Sequence, residues 1–345
     1  VAAALVPAQT VRGGARDDPH TRARALHTEA VAAGRYGHAV RAIRTLRRGL
    51  ALLDRECHDR ADCRALTAEL LLSLAVNVAE VHGVERGREV LDSARDVLRH
   101  LDEPALQVRL HNNHALMATR AGDLHTAAEE AARALALLDH ASPHDRVYTL
   151  LNSGNIHLYR GELAAARQLF ERAVAAARNE RIADGEFRAL HNLGYAEFLA
   201  GNLPAALAAM DSAAELDVPI SRGIWALDRA RILLEAGLLV EADETLADAG
   251  EMFAAARTAQ DLGEVEVARA ECALLRGDAA AARRFAARAR DRFRRRGNEM
   301  WMRFAELVLL QGDLAAGRPG ARLAPVAARL GRELNESRQP SRART

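Results

Sequence analysis

The sequence predicts an all-α protein, a right-handed solenoid of about eight antiparallel helix pairs. Three observations carry that expectation. The composition is rich in strong helix formers and poor in aromatics, a short turn motif recurs roughly every 40 residues, and long tracts contain no proline.

Of the 345 residues, 49% are apolar but only 4% are aromatic, with Ala and Leu dominant. That balance suits many thin helix–helix contacts better than one bulky core. Ala, Leu, Arg and Glu all favour helix. Prolines are absent from 20–103 and from 220–318, as unbroken helices require.

The turn motif reads Gly, a polar residue, an apolar residue, two variable positions, then Ala. In chain order it stands at Gly34-Arg-Tyr-Gly-His-Ala39, Gly122-Asp-Leu-His-Thr-Ala127, Gly161-Glu-Leu-Ala-Ala-Ala166 and Gly201-Asn-Leu-Pro-Ala-Ala206. It continues at Gly237-Leu-Leu-Val-Glu-Ala242, Gly277-Asp-Ala-Ala-Ala-Ala282 and Gly312-Asp-Leu-Ala-Ala-Gly317. A degenerate copy at His82-Gly-Val-Glu-Arg-Gly87 makes eight units. From His82 onward the spacings are 40, 39, 40, 36, 40 and 35 residues, room for two helices of about four turns and two short turns. Each unit is therefore a helical hairpin.

The residue types fit their places. Leu190, Leu193, Ala196 and Ala200 recur at helical spacing before one turn, and Ala206, Met210 and Ala213 share a face after it. Gly ends a first helix because the left-handed conformation there carries no side-chain penalty. Pro204 opens the next helix, where its missing N–H costs nothing. The small Ala after the turn lets the paired helices approach closely.

The expected organisation is a disordered segment over 1–20, the solenoid over 21–317, a capping helix over 318–334 and a polar tail over 335–345. Val1-Ala-Ala-Ala-Leu-Val-Pro7 has no basic flank and is too short for a signal peptide. No apolar run is read as approaching the length of a membrane span. The 48 basic and 47 acidic residues are mixed, leaving a net charge of +1, which lacks the footprint of a nucleic-acid binder. Every basic residue is Arg, a usage that points to a high-GC bacterial genome. The run Arg292, Arg294, Arg295 and Arg296 reads as a solvated helix end favoured by the macrodipole. Three cysteines, Cys57, Cys63 and Cys272, without CxxC spacing, argue for a reducing compartment and against a disulfide framework. The cytoplasm is the expected location.

The register of small residues resembles the tetratricopeptide repeat: Asn192-Leu193-Gly194, then Gly201-Asn202-Leu203, then Ala206 and Ala213. Partial copies are Asn152-Ser153-Gly154 and Asn113-His114-Ala115, and the likeness covers about 25–317. The tract from His191 through Leu227–Gly237 to Phe285–Gly297 is similar to the repeat region of actinobacterial CHAT-domain proteins. In those proteins a caspase-like domain carries a His and a Cys, and the repeats are thought to sense or recruit. This chain departs from them: no His follows His191, and Cys272 sits inside a helical repeat.

Catalytic and metal motifs are sparse. His111 and His114, at i and i+3, lack a third ligand and are expected to be structural, as is the Cys57, His58 and Cys63 group. A phosphate loop ending in Lys is excluded because there is no Lys, and neither HExxH nor GxSxG occurs. One constellation stands out: Asn113, Asn152, Asn192 and Asp228 each lie nine residues before a turn Gly. Stacked hairpins would set them side by side as a polar ladder. In clamp-type tetratricopeptide proteins equivalent Asn residues bind a peptide's backbone or terminal carboxylate, so the resemblance implies that role here. Those clamps also use Lys, for which Arg188 or Arg231 would substitute. The alternative is that each Asn bonds to its own or the next repeat's turn.

Tyr148, Tyr159, Tyr195, Phe198 and Trp225 fall in first helices, while Trp301 and Phe304 are expected to pack the last repeat. The expected function is a non-catalytic scaffold that binds a peptide or protein partner in a concave groove. Its candidate binding residues are Asn113, Asn152, Asn192, Asp228, Arg188, Tyr195 and Arg231. No cofactor, metal, nucleic acid or membrane is expected to take part. The resemblance implies the sensor or regulatory region of a CHAT-type protein; the alternative is the sensor array of a transcription regulator without its DNA-binding domain.

Overall fold

The structure is a computed structural model that describes residues 18–337, apart from Tyr36, His58, Asp59 and residues 219–221. Among the described residues there are sixteen α-helices and no strand. They divide into two compact units, with the division between Ala196 and Glu197.

The first unit holds α1 (Pro19–Arg35), α2 (Ala39–Glu56), α3 (Ala61–His82), α4 (Val84–Leu98), α5 (Pro104–Ala121), α6 (Leu124–Ala136), α7 (Pro143–Tyr159) and α8 (Leu163–Asn179). It ends within α9 (Ala183–Leu199). The second holds α10 (Leu203–Ala214), α11 (Gly223–Glu235), α12 (Leu239–Ala256), α13 (Ala259–Leu275), α14 (Ala279–Arg296), α15 (Glu299–Ala315) and α16 (Gly320–Ser337).

Odd-numbered helices are the first members of their pairs. The residue five places after the turn Gly packs inside the pair: Ala127, Ala166, Ala206, Ala242 and Ala282 are all fully buried. Turn glycines adopt positive φ, such as +80° at Gly201, and the next residue's N–H reaches back to a first-helix carbonyl. Asn202 N–H donates to the Glu197 carbonyl at 2.9 Å, and Asp278 N–H to the Ala273 carbonyl at 2.8 Å. The following helices start on side-chain caps where Asp123 accepts from the Thr126 N–H and Asp278 from the Ala281 N–H. The apolar residues form several small clusters, each made by two or three neighbouring helices, as the Ala-rich and aromatic-poor composition requires.

The structure shifts three of the expected turns. The first lies at Gly37 (φ +77°), while Gly34 is helical and its Cβ position faces the Asn77 side chain at 3.1 Å. The last lies at Gly317 (φ +76°), whereas Gly312 is inside α15 against Arg283 of α14. The degenerate copy turns on Gly83 alone, with Gly87 seated on Ala75 and Ala79. In all three the motif held two glycines, one for the turn and one for close packing, and spacing alone does not separate those uses. With the eighth turn at Gly317, α16 is the second helix of the eighth pair and continues to Ser337, into the expected tail. Most of the two segments expected to lack order, 1–17 and 338–345, lies outside the described residues, although α1 already begins at Pro19.

Two other expectations are corrected. Cys57 and Cys63 form a disulfide, with Cα atoms 6.0 Å apart. Cys57 caps the end of α2 and Cys63 sits in the first turn of α3, so the tight reversal between the helices brings them together. The cysteine pattern thus gives no support for a reducing compartment. In addition, α3 is 22 residues long, with a mean hydropathy of 1.3 over its most apolar window, and so is long and apolar enough to cross a membrane. Its apolarity has a packing reason. Leu66, Leu70, Leu74 and Val78 join the cluster with α1 and α2, while Ala68, Leu72, Ala75 and Ala79 join that with α4 and α5. A helix packed on both sides loses its polar stripe.

Two predictions follow from the packing. A Cβ on Gly154 would lie 2.4 Å from the fully buried Phe170 ring, whereas one on Gly201 would meet open space and only the strain of positive φ. Gly154→Val should therefore cost about 3 kcal/mol and Gly201→Ala about 1 kcal/mol, measured by urea unfolding. The disulfide closes a short loop, so Cys57→Ala with Cys63→Ala should lower stability by about 2 kcal/mol. An unchanged midpoint would show that the bridge does not form in solution.

Candidate functional site

Within the first unit, α1, α3, α5 and α7 touch one another from pair to pair in addition to their contacts with second helices. The pairs therefore splay with their first helices on the inside of the curve. That inside face carries a continuous polar network.

Its centre is a row of amides. Asn77, Asn112, Asn113, Asn152, Asn155 and Asn192 are six of the chain's ten asparagines, and all are half-buried on α3, α5, α7 and α9. Asn is a poor helix former because its side chain competes for backbone hydrogen bonds. Asn77 Nδ2 does so, donating to the Ser73 carbonyl of its own helix at 2.8 Å, but the other amides tie each first helix to the one before. Asn113 Nδ2 donates to the Leu72 carbonyl at 3.0 Å, Asn152 Nδ2 to Asn112 Oδ1 at 3.1 Å, and Asn192 Nδ2 to Asn155 Oδ1 at 2.9 Å. The bonds run to the preceding first helix, where the alternative reading expected a turn. Among the described residues, Asn112 and Asn155 keep Nδ2 unpaired while Asn152 and Asn192 keep Oδ1 unpaired. Donors and acceptors thus alternate along the face.

Beside the amides runs a charged seam. Arg24 on α1 donates to Glu69 on α3 at 2.6 Å, and His27 Nε2 lies 2.9 Å from Ser73 Oγ. Arg109 on α5 donates to Ser73 at 3.1 Å and lies 3.8 Å from Asp145 on α7. The Tyr148 hydroxyl donates to Asp184 on α9 at 2.6 Å.

With Glu69 Oε2 3.6 Å from His27 Nδ1, Ser73, His27 and Glu69 stand in the order nucleophile, base and acid. The electrostatics oppose catalysis. Burial first, then Arg109 and Arg24, lower the His27 pKa to about 4, far from the value a base needs near neutrality. Ser73 also lies inside α3, where surrounding N–H groups are committed to the helix and cannot hold an oxyanion.

The other predicted residues are spread differently. Arg188 is exposed on α9 and makes no ion pair among the described residues, and Tyr195 is half-buried there. Asp228 and Arg231 belong to the second unit. Arg231 is clamped between Asp228 and Glu264, each at 3.0 Å, so its charge is already matched. Tyr159 is 63% exposed, whereas Trp225 donates Nε1–H to the Met210 carbonyl at 3.1 Å. Trp301 stacks on Phe293 and meets the Phe304 ring edge-on at 5.8 Å between centroids, so both pack in the last repeat, with Phe304 still 37% exposed. His111 binds Glu130 at 2.7 Å and His114 accepts from Arg95. The His114 pKa falls to about 4 through burial and then the Arg95 charge. Sequence reading missed Asn112, Asn155, Arg109 and Asp184. The concentration of a poor helix former in four first helices was the available signal for the two amides.

The fold is of the tetratricopeptide solenoid class, and solved structures share it. A Rap protein complexed with Competence and Sporulation Factor matches with a TM-score of 0.64 at 11% identity, over 92% of this chain and 93% of that one. A signal-transduction ATPase with a tetratricopeptide repeat sensor, from Pyrococcus horikoshii, matches with a TM-score of 0.66 at 12% identity. That match takes in 95% of this chain, which spans about half of the ATPase, 54%. The apo form of RapI matches with a TM-score of 0.54 at 10% identity, over 72% of this chain and 97% of that one. No family model and no curated protein matches the sequence. At such identities the likeness concerns the fold.

The buried imidazole makes stability depend on pH. Unfolded His27 titrates near 6.5 and folded His27 near 4, so between those values the unfolded chain holds a proton that the folded chain refuses. Its contribution is complete above pH 6.5 and is lost as pH falls towards 4, by at most about 1.4 kcal/mol per pH unit. Urea midpoints measured from pH 7 to pH 4 should fall, and His27→Gln should flatten the slope.

Proposed function

We propose that the chain is a non-catalytic scaffold that binds an extended peptide segment of a protein partner along the first-helix face of α3, α5, α7 and α9. The alternation of free amide donors and acceptors on Asn112, Asn152, Asn155 and Asn192 carries this reading. An extended backbone presents N–H and C=O groups, and a row of side-chain amides can satisfy both without reading sequence. Exposed Tyr159 supplies an apolar contact beside the row, and Arg188 a free cation for an acidic group. The unfavourable base at His27 supports a binding role over hydrolysis. A fold of this class holds Competence and Sporulation Factor in the Rap complex, and another serves as the sensor of the ATPase.

The finer reading is that the repeats form the sensor or regulatory part of a CHAT-type protein. It draws on the likeness of the tract between His191 and Gly297. The alternative, a sensor array of a bacterial transcription regulator, predicts a separate DNA-binding domain in the same protein.

A displayed random peptide library tests the binding face. Asn152→Ala with Asn192→Ala should reduce recovery of wild-type binders at least about tenfold. Stability should drop by only about 1 kcal/mol per lost bond, since each amide also ties two helices. Equal recovery by the variant would refute the proposal, as would cleavage of bound peptides.

A further inference from the structure

The second unit carries two charged stripes of opposite sign on neighbouring second helices. Helix α12 has five acidic residues and no basic one. Glu241, Glu244, Asp248 and Glu251, at i, i+3, i+7 and i+10, are all exposed. None of these four carboxylates has an ion-pair partner among the described residues. Helix α14 has eight arginines and one acid, Asp291. Its outer stripe includes Arg284 and Arg288, both exposed, and Arg284 makes no ion pair among the described residues. Arg288 reaches Glu266 at 3.4 Å and covers Phe285, with its side chain still 57% exposed.

The registers match. Glu244 and Arg284 each stand seven residues after a turn Gly, Gly237 and Gly277, and Asp248 and Arg288 each stand eleven after. Equal positions in successive pairs share a height and an outward direction. The two helices flank α13 and run the same way. Consider a two-fold axis parallel to α12 and α14, lying just outside their outer face and above the midline between them. It sets the α12 of one copy against the α14 of the other, so that Glu244 faces Arg284 and Asp248 faces Arg288 twice over. A two-fold interface requires this self-complementarity.

We propose that the outer face of α12 and α14 binds a second copy of this chain, forming a two-fold dimer through the matched stripes. A polyanion approaching α14 would meet the unpaired carboxylates of α12, whereas a second copy satisfies both signs at once. Exposed Val240 and Met252 on α12 add apolar contact. Exposed ion pairs contribute little individually and are screened by salt, so the dimer is reversible and salt-sensitive. This inference is independent of the peptide-binding reading, which concerns the first unit.

Sedimentation velocity on the full chain tests it, in about 0.05 M and about 0.5 M NaCl. The wild type should dimerise at low salt and dissociate at high salt. Glu244→Arg and Arg284→Glu change exposed residues without a partner inside the chain, so both variants should melt like the wild type. Each should weaken self-association at least about tenfold, because the reversed contact occurs twice. An equimolar mixture of the two should dimerise like the wild type, since every reversed residue then faces an opposite charge. A monomeric wild type at low salt would overturn the proposal, as would dimers indifferent to the reversals or a mixture that stays monomeric. A monomer that is retained on heparin would assign the arginines to a polyanion and overturn it too.

Discussion

The structure depends on how closely two helices of a pair can approach just after their turn. In the first seven pairs the second helix presents Ala there, or Gly87 in the one tight turn, with no exposed surface at Ala127, Ala166, Ala206, Ala242 and Ala282. A larger side chain would force the backbones apart, and interiors packed to crystal-like density cannot absorb the displaced volume. Because the contact repeats, first helices within each unit also meet from pair to pair. The glycines beneath Phe170, Phe253 and Phe293 serve the same end, letting a ring lie directly on a neighbouring helix.

Regular stacking has a chemical consequence on the inside face. Equivalent first-helix positions stand beside each other, so a residue type that recurs in sequence becomes a row in space. Most of these asparagines, which would weaken isolated helices, are used between helices, and Asn112, Asn152, Asn155 and Asn192 each give one amide end to a neighbour and keep the other unpaired among the described residues. The charged seam is more self-contained: Arg24, Glu69, Arg109 and Asp145 largely answer one another. The imidazole at its start is kept neutral by its burial first and then by the arginines around it, which makes the group structural and pH-sensitive. On the outside of the second unit the same regularity leaves two stripes of opposite charge at matched heights, in which Glu241, Glu244, Asp248, Glu251 and Arg284 make no ion pair among the described residues.

Composition, the roughly 40-residue period and the small-residue register determined the helix-pair architecture, because each is a local property that any close-packed hairpin demands. The position of the amide row was legible for the same reason: nine residues before a turn is a fixed height on a first helix. Only the tertiary structure decided which of two nearby glycines makes a turn, since a turn and a close contact both favour Gly and differ only in φ and neighbours. Likewise, only the fold brought Cys57 to Cys63 and buried α3 on two sides, so that spacing and hydropathy taken alone misread both. The direction of the Asn bonds, and the clamping of Arg231 by Glu264, depend on neighbours some 30 to 40 residues away. A sequence pattern fixes the height of a residue on its helix, and the packing of one pair on the next fixes what that residue meets.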